Sequence, residues 1–145
     1  MNGKITKKVD TKVLLSTLWI FVIINYIFND IFSLFFVPGV VDESLAFTGG
    51  SWVVPLFFAV ILETAFVMVV LSRILPYAAN RWANVIIGAL HTALAVWSLV
   101  ETVPEPFYAF IVTAEIIATL LIIWYAWKWT EQETGTIPAI AKQAG

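Results

Sequence analysis

Long apolar runs separated by short polar breaks organise this chain from end to end. The runs cover about residues 13–37, 52–75, 83–100 and 105–129. A helix rising 1.5 Å per residue needs about 20 residues to cross a bilayer, and each run is close to that length or beyond it. The breaks are the residues that end helices: Pro38-Gly39 and Gly49-Gly50 bracket a first loop, Pro76 closes the second run, and Pro104 and Pro106 open the fourth. Asn80, ahead of Arg81-Trp82, is read as the N-cap of the third helix. The expected fold is all-α, a bundle of four transmembrane helices. Residues 1–129 form the membrane domain, and 130–145, with Gly135 and Pro138, form a polar cytoplasmic tail. No repeat is evident, although the chain divides into two hairpins whose second helix carries a glutamate.

Basic residues give the bundle a direction. Lys4, Lys7, Lys8 and Lys12 precede the first run, Arg73 and Arg81 flank the second turn, Lys128 lies at the end of the last run and Lys142 beyond it. The opposite loops hold Asp42, Glu43, Glu101 and Glu105 and no lysine or arginine. Positive charge stays on the cytoplasmic side, so both termini are expected there. The N-terminal lysines also suit a signal peptide. The first run, however, outlasts an ordinary signal core and is followed by Phe36-Val37-Pro38-Gly39, not by a small-residue cleavage site. It is expected to remain as the first helix.

Composition narrows the class. Hydrophobic residues make up 61% of the 145 and charged ones 12%, against about 25% charged in an ordinary soluble domain. A net charge of −2 gives no reason to expect nucleic acid as a partner, and membrane lipids are the expected surroundings. The absence of cysteine excludes disulfides, thiol catalysis, iron–sulfur clusters and covalent c-type haem. Trp82, Trp124, Trp127 and Trp129 fall near one surface and Trp52 and Trp97 near the other, as interfacial belts. Trp19 lies deeper and can pack inside.

Each run also carries an ionisable side chain well within it: Asp30, Glu63, His91 and Glu115. Such groups cost about 2.5–3.5 kcal/mol each on insertion scales and usually mark a site or pathway. Counted from the outer end of each run, all four lie roughly 10–17 Å deep. On the third run, Asn84, Gly88, His91, Ala95 and Ser98 share one small, polar face; on the fourth, Tyr108, Glu115, Thr119 and Ala126 do. The first run offers Asn25, Asn29 and Ser33, with Asp30 turned aside, and Ala59 and Thr64 flank Glu63. The common depth predicts a ligand-binding cluster of Glu63, His91 and Glu115, with Asp30, Asn25 and Asn29 around it.

That cluster suits a binding or transport protein for a small cationic or amphipathic molecule, with proton coupling through the carboxylates and histidine. A membrane-embedded enzyme acting on a lipid or isoprenoid would use the same groups. A structural or accessory subunit would use them only as interhelical hydrogen bonders, the usual role of asparagine in such helices. One histidine and no Glu-x-x-His pair disfavour a metal site, and no cofactor is expected. Four spans make a narrow bundle, which leaves room for a homodimer with a shared pocket.

Leu71-Ser72-Arg73-Ile74-Leu75-Pro76 through Asn80-Arg81-Trp82-Ala83-Asn84, and Ile122-Ile123-Trp124-Tyr125-Ala126-Trp127-Lys128-Trp129, resemble an uncharacterised group of small bacterial four-helix membrane proteins. Leu18-Trp19-Ile20-Phe21 with Asn25, and Asp30-Ile31-Phe32-Ser33, fit the same group. In layout it is similar to DoxX-like proteins. The resemblance implies a prokaryotic plasma membrane and brings no activity with it.

Overall fold

The structure is a computed structural model that describes residues 9–101 and 105–131. Lys4, Lys7, Lys8, Pro104, Lys142 and the expected tail from 132 onward lie outside the described residues. Asp10 opens helix α1 (Thr11–Phe36) by accepting the Lys12 backbone N–H at 2.9 Å. Val37, held extended ahead of Pro38, closes it. The next residue, Gly39, has φ +78°, a left-handed turn that lets the chain double back at once.

The segment expected as a loop is instead a nine-residue helix, α2 (Val40–Thr48), ended by Gly49 and Gly50, both at positive φ. Asp42 and Glu43 in its first turn complement the helix dipole. Helix α3 (Val53–Ile74) stops at Leu75, again extended before a proline. Helix α4 runs Tyr77–Glu101, six residues earlier at its start than the run from 83 suggests. The Pro76 carbonyl already accepts the Asn80 N–H at 2.9 Å, so the helix begins directly after the proline. Asn80 is therefore inside α4 and buried, not its N-cap. Helix α5 (Pro106–Lys128) begins with proline at its first position, where no N–H is needed.

Helices α1, α3, α4 and α5 are each long and apolar enough to cross a membrane, which makes this a multi-pass membrane protein. Their outer faces carry exposed Phe28, Val60, Ile86 and Ile117, a surface that lipid solvates and water would not. Helix α5 packs mainly on α4 and α1, and α1 on α3, whereas α3 and α4 touch far less despite adjoining in sequence.

Packing is polarised along the bundle. Leu15, Trp19, Val22, Met68, Ile122 and Ala126 form one buried cluster toward the end that carries the α3–α4 turn. There Gly88 lets α4 approach α5 closely: a Cβ at that position would stand 3.0 Å from the Ile123 side chain and 3.6 Å from the Thr119 carbonyl. Lys12 Nζ donates to the Leu75 carbonyl at 2.7 Å, and Ser16 Oγ to that of Val69 at 2.9 Å, so α1 is fastened to α3 at this end. Trp82, Trp124 and Trp127 are exposed there as belt residues. Trp129 is buried, its ring edge-on to Tyr77 and its carbonyl accepting the Tyr77 hydroxyl at 2.8 Å.

Candidate ligand-binding site

Two polar layers occupy the bundle, and only one of them borders open space. The deeper layer is a closed network near the α3–α4 turn. Asn84 Oδ1 accepts from Trp19 Nε1 at 2.8 Å and from Ser72 Oγ at 3.2 Å. Asn84 Nδ2 donates to Asn80 Oδ1 at 2.7 Å, and Asn80 Nδ2 to the Ser72 carbonyl at 2.7 Å. All four side chains have no exposed surface. With every group paired, this layer joins α1, α3 and α4 and leaves nothing for a ligand.

The second layer lies one to two turns further along. His91 is buried between α1 and α3. Thr64 Oγ1 donates to the Ile61 carbonyl at 2.6 Å, so it accepts from His91 Nε2 at 2.9 Å. His91 Nδ1 then accepts from the Tyr26 hydroxyl at 2.8 Å. These bonds assign a neutral imidazole with its proton on Nε2. Trp19 meets the ring edge-on at 5.4 Å, and Tyr26 stacks near it at 5.8 Å. The imidazole is thus committed at both nitrogens, and its effect is to orient Tyr26.

Beyond this layer the helices part around a cavity of about 720 Å³, within the ~300–1,000 Å³ range of small-molecule sites. All five helices contribute: Tyr26, Asn29 and Asp30 from α1, Glu43 and Phe47 from α2, Phe58 and Ile61 from α3, His91 and Ser98 from α4, Tyr108 and Glu115 from α5. Beyond the Thr64–His91 bond, α3 and α4 both border this opening, in keeping with how little the two touch. Among the described residues, Asp30, Glu43 and Glu115 line the cavity and no lysine or arginine does.

Glu115 stands out among these groups. Its side chain is only 2% exposed, and Oε1 has no hydrogen-bond partner. It is close enough to Tyr26 and Asp30 to interact electrostatically with both. Thr119 and Thr92, hydroxyl to hydroxyl at 2.8 Å, close the space below it. Asn29 Oδ1 is a second buried oxygen without a partner. A buried acceptor left unpaired costs about 1–3 kcal/mol, so unpaired acceptors on a cavity wall signal a missing donor. No three His, Asp or Glu side chains among the described residues are grouped to hold a metal ion.

The expected cluster forms in part. Glu115, His91, Asn29 and Asp30 all line the cavity. Asn25 does not, and its amide is spent on the Phe21 carbonyl one turn back, at 2.8 Å. Glu63 is also elsewhere: it faces outward, exposed on α3. The buried stripe of α3 is Ile61, Ala65, Met68 and Ser72, and a residue two positions from Ile61 points about 200° away from it at 3.6 residues per turn. Thr64 takes the place at His91 that Glu63 was expected to hold.

Tyr26 is the site residue that pattern reading passed over. The signal was there: Leu15, Trp19, Val22, Tyr26 and Asn29 keep the four-three spacing of a single helical face. The Asn25, Asn29 and Ser33 spacing of four and four drifts off that face by about 40° at each step.

No curated protein and no solved structure matches the chain. A family model does match, over residues 4–136, and that stretch contains every segment on which the resemblance to small four-helix membrane proteins rests. By that match the chain belongs to DUF6326, a family of unknown function.

Proposed function

We propose that this protein binds a small amphipathic cation in the cavity next to α2, as a membrane binding or transport protein. The observation that carries the reading is Glu115, a buried carboxyl with an unpartnered oxygen on the wall of a cavity that also receives Asp30 and Glu43 and no basic side chain. Carboxylates gathered without a counter-charge are destabilised by one another, and a cation in their midst relieves that repulsion. Phe47, Phe58 and Ile61 supply apolar wall for the rest of such a molecule.

Binding of radiolabelled 4-phenylbutylammonium to the protein in zwitterionic nanodiscs, with empty nanodiscs subtracted, tests this. Saturable binding is expected, with 4-phenylbutanol competing at least ~10-fold more weakly, a difference of about 1.4 kcal/mol, and 4-phenylbutyrate not competing. Equal competition by the alcohol and the acid would overturn the reading, because apolar burial alone would then account for it.

The same reading sets both termini in the cytoplasm of a prokaryote and the cavity in the outer half of its plasma membrane. Lys12, Arg73, Arg81 and Lys128 at one end of the bundle, and Asp42, Glu43, Glu101 and Glu105 at the other, support that orientation. In a bacterial host, green fluorescent protein fused after Gly145 is expected to fluoresce, and alkaline phosphatase fused after Gly50 to be active. Inactive phosphatase at Gly50 with active phosphatase at the C-terminus would reverse the orientation.

A further inference from the structure

We infer that the cation this cavity selects is one that donates several hydrogen bonds, a primary ammonium or an amidinium, and not a quaternary onium ion. The inference rests on the cationic reading above and narrows it. Charge alone does not separate the two classes, since both satisfy a carboxylate electrostatically. What separates them is the set of groups around Glu115 that still lack partners.

Those groups are acceptors. Glu115 Oε1 and Asn29 Oδ1 are buried and unpaired. The Tyr26 hydroxyl donates its hydrogen bond to His91 Nδ1, so what it presents to the cavity is oxygen lone pairs. His91 Nε2, the other N–H in this layer, is already held by Thr64. Tyr26, Asn29 and Glu115 therefore face one space with acceptors open, and the Tyr26 and His91 donors beside them are spent. An ammonium has three N–H groups to offer them, an amidinium four, and a trimethylammonium none.

The alternative device, an aromatic box for a quaternary ion, needs ring faces turned to the cation. Here the ring contacts are with other rings, one stacked, one edge-on and one tilted. Tyr26 is stacked with His91, and Phe58 sits against Phe57 at 5.7 Å and Phe47 at 6.4 Å. Apolar transfer also runs against the proposal, which makes the comparison decisive: added methyl groups favour a hydrophobic cavity when no hydrogen bond is lost.

The test is the N-methylation series of 4-phenylbutylammonium in nanodiscs: the primary, N-methyl, N,N-dimethyl and N,N,N-trimethyl cations, as competitors of the labelled primary amine. Affinity is expected to fall at every step, at least tenfold in total from primary to quaternary. In the N29L protein that ratio is expected to shrink at least threefold, with the trimethyl cation binding as before. A quaternary ion that binds as well as the primary one, or better, overturns the inference and leaves the cationic reading standing. A ratio unchanged in the N29L protein also overturns it, since the acceptor set would not include Asn29. If no member of the series binds, both readings fail together.

Discussion

Replacing Glu115 with glutamine is expected to weaken 4-phenylbutylammonium binding by roughly ten- to a hundredfold while leaving the fold intact. The substitution keeps the size and shape of the side chain and removes the one buried acid of the cavity. A hydrogen bond to a charged partner contributes about 1.5–3 kcal/mol, and each 1.4 kcal/mol is a factor of about ten in affinity. Nothing in the bundle relies on Glu115 Oε1, which has no partner to lose. The thermal unfolding midpoint of the E115Q protein should accordingly match or exceed that of the wild type. Unaltered affinity in a well-folded E115Q protein would remove Glu115 from the site, and with it the proposed function.

Asn84→Ala should have the largest effect on stability, about 2–4 kcal/mol, with little effect on the affinity of the protein that still folds. Truncation strands Trp19 Nε1, Asn80 Oδ1 and Ser72 Oγ in a layer without exposed surface. Buried groups stripped of partners cost about 1–3 kcal/mol each. Hydrogen bonds between membrane helices average nearer ~0.6 kcal/mol, because the unfolded reference finds partners too. Ser72→Ala is the contrast. It removes the 3.2 Å bond but leaves Trp19 on Asn84, and Asn80 on the residue-72 backbone carbonyl. It should cost under ~1 kcal/mol, on the scale of a single bond in such a bundle. Unfolding in mixed detergent and dodecyl sulfate micelles, followed by tryptophan fluorescence, measures both. If the two variants unfold alike, the network does not hold the bundle.

The four long helices were legible in the sequence because lipid demands sustained apolar length, and that demand hardly depends on tertiary contacts. The inward faces of α4 and α5 were legible too: Asn84, Gly88, His91 and Ala95, and Glu115, Thr119 and Ala126, are buried as their spacing implies. The face of α3 was not. Its glutamate drew attention, whereas small Ala65 and Ser72 marked the true inward stripe among residues apolar all round. A helix bathed in lipid has no polar side to betray its orientation. The short helix α2 was hidden for a related reason. Its flanking glycines spell a turn, and nothing in Val40–Thr48 has the length of a span.

The fully paired Asn84 network also divides the bundle mechanically. It locks α1, α3 and α4 together beside the α3–α4 turn, while the cavity end has mostly side-chain walls and a nine-residue cover. The stretch of α3 from Ser72 to Val54, roughly 27 Å at 1.5 Å per residue, is tied to α4 once more, by the Thr64–His91 bond. A side chain changed in the chamber wall therefore leaves the paired layer with every bond it has.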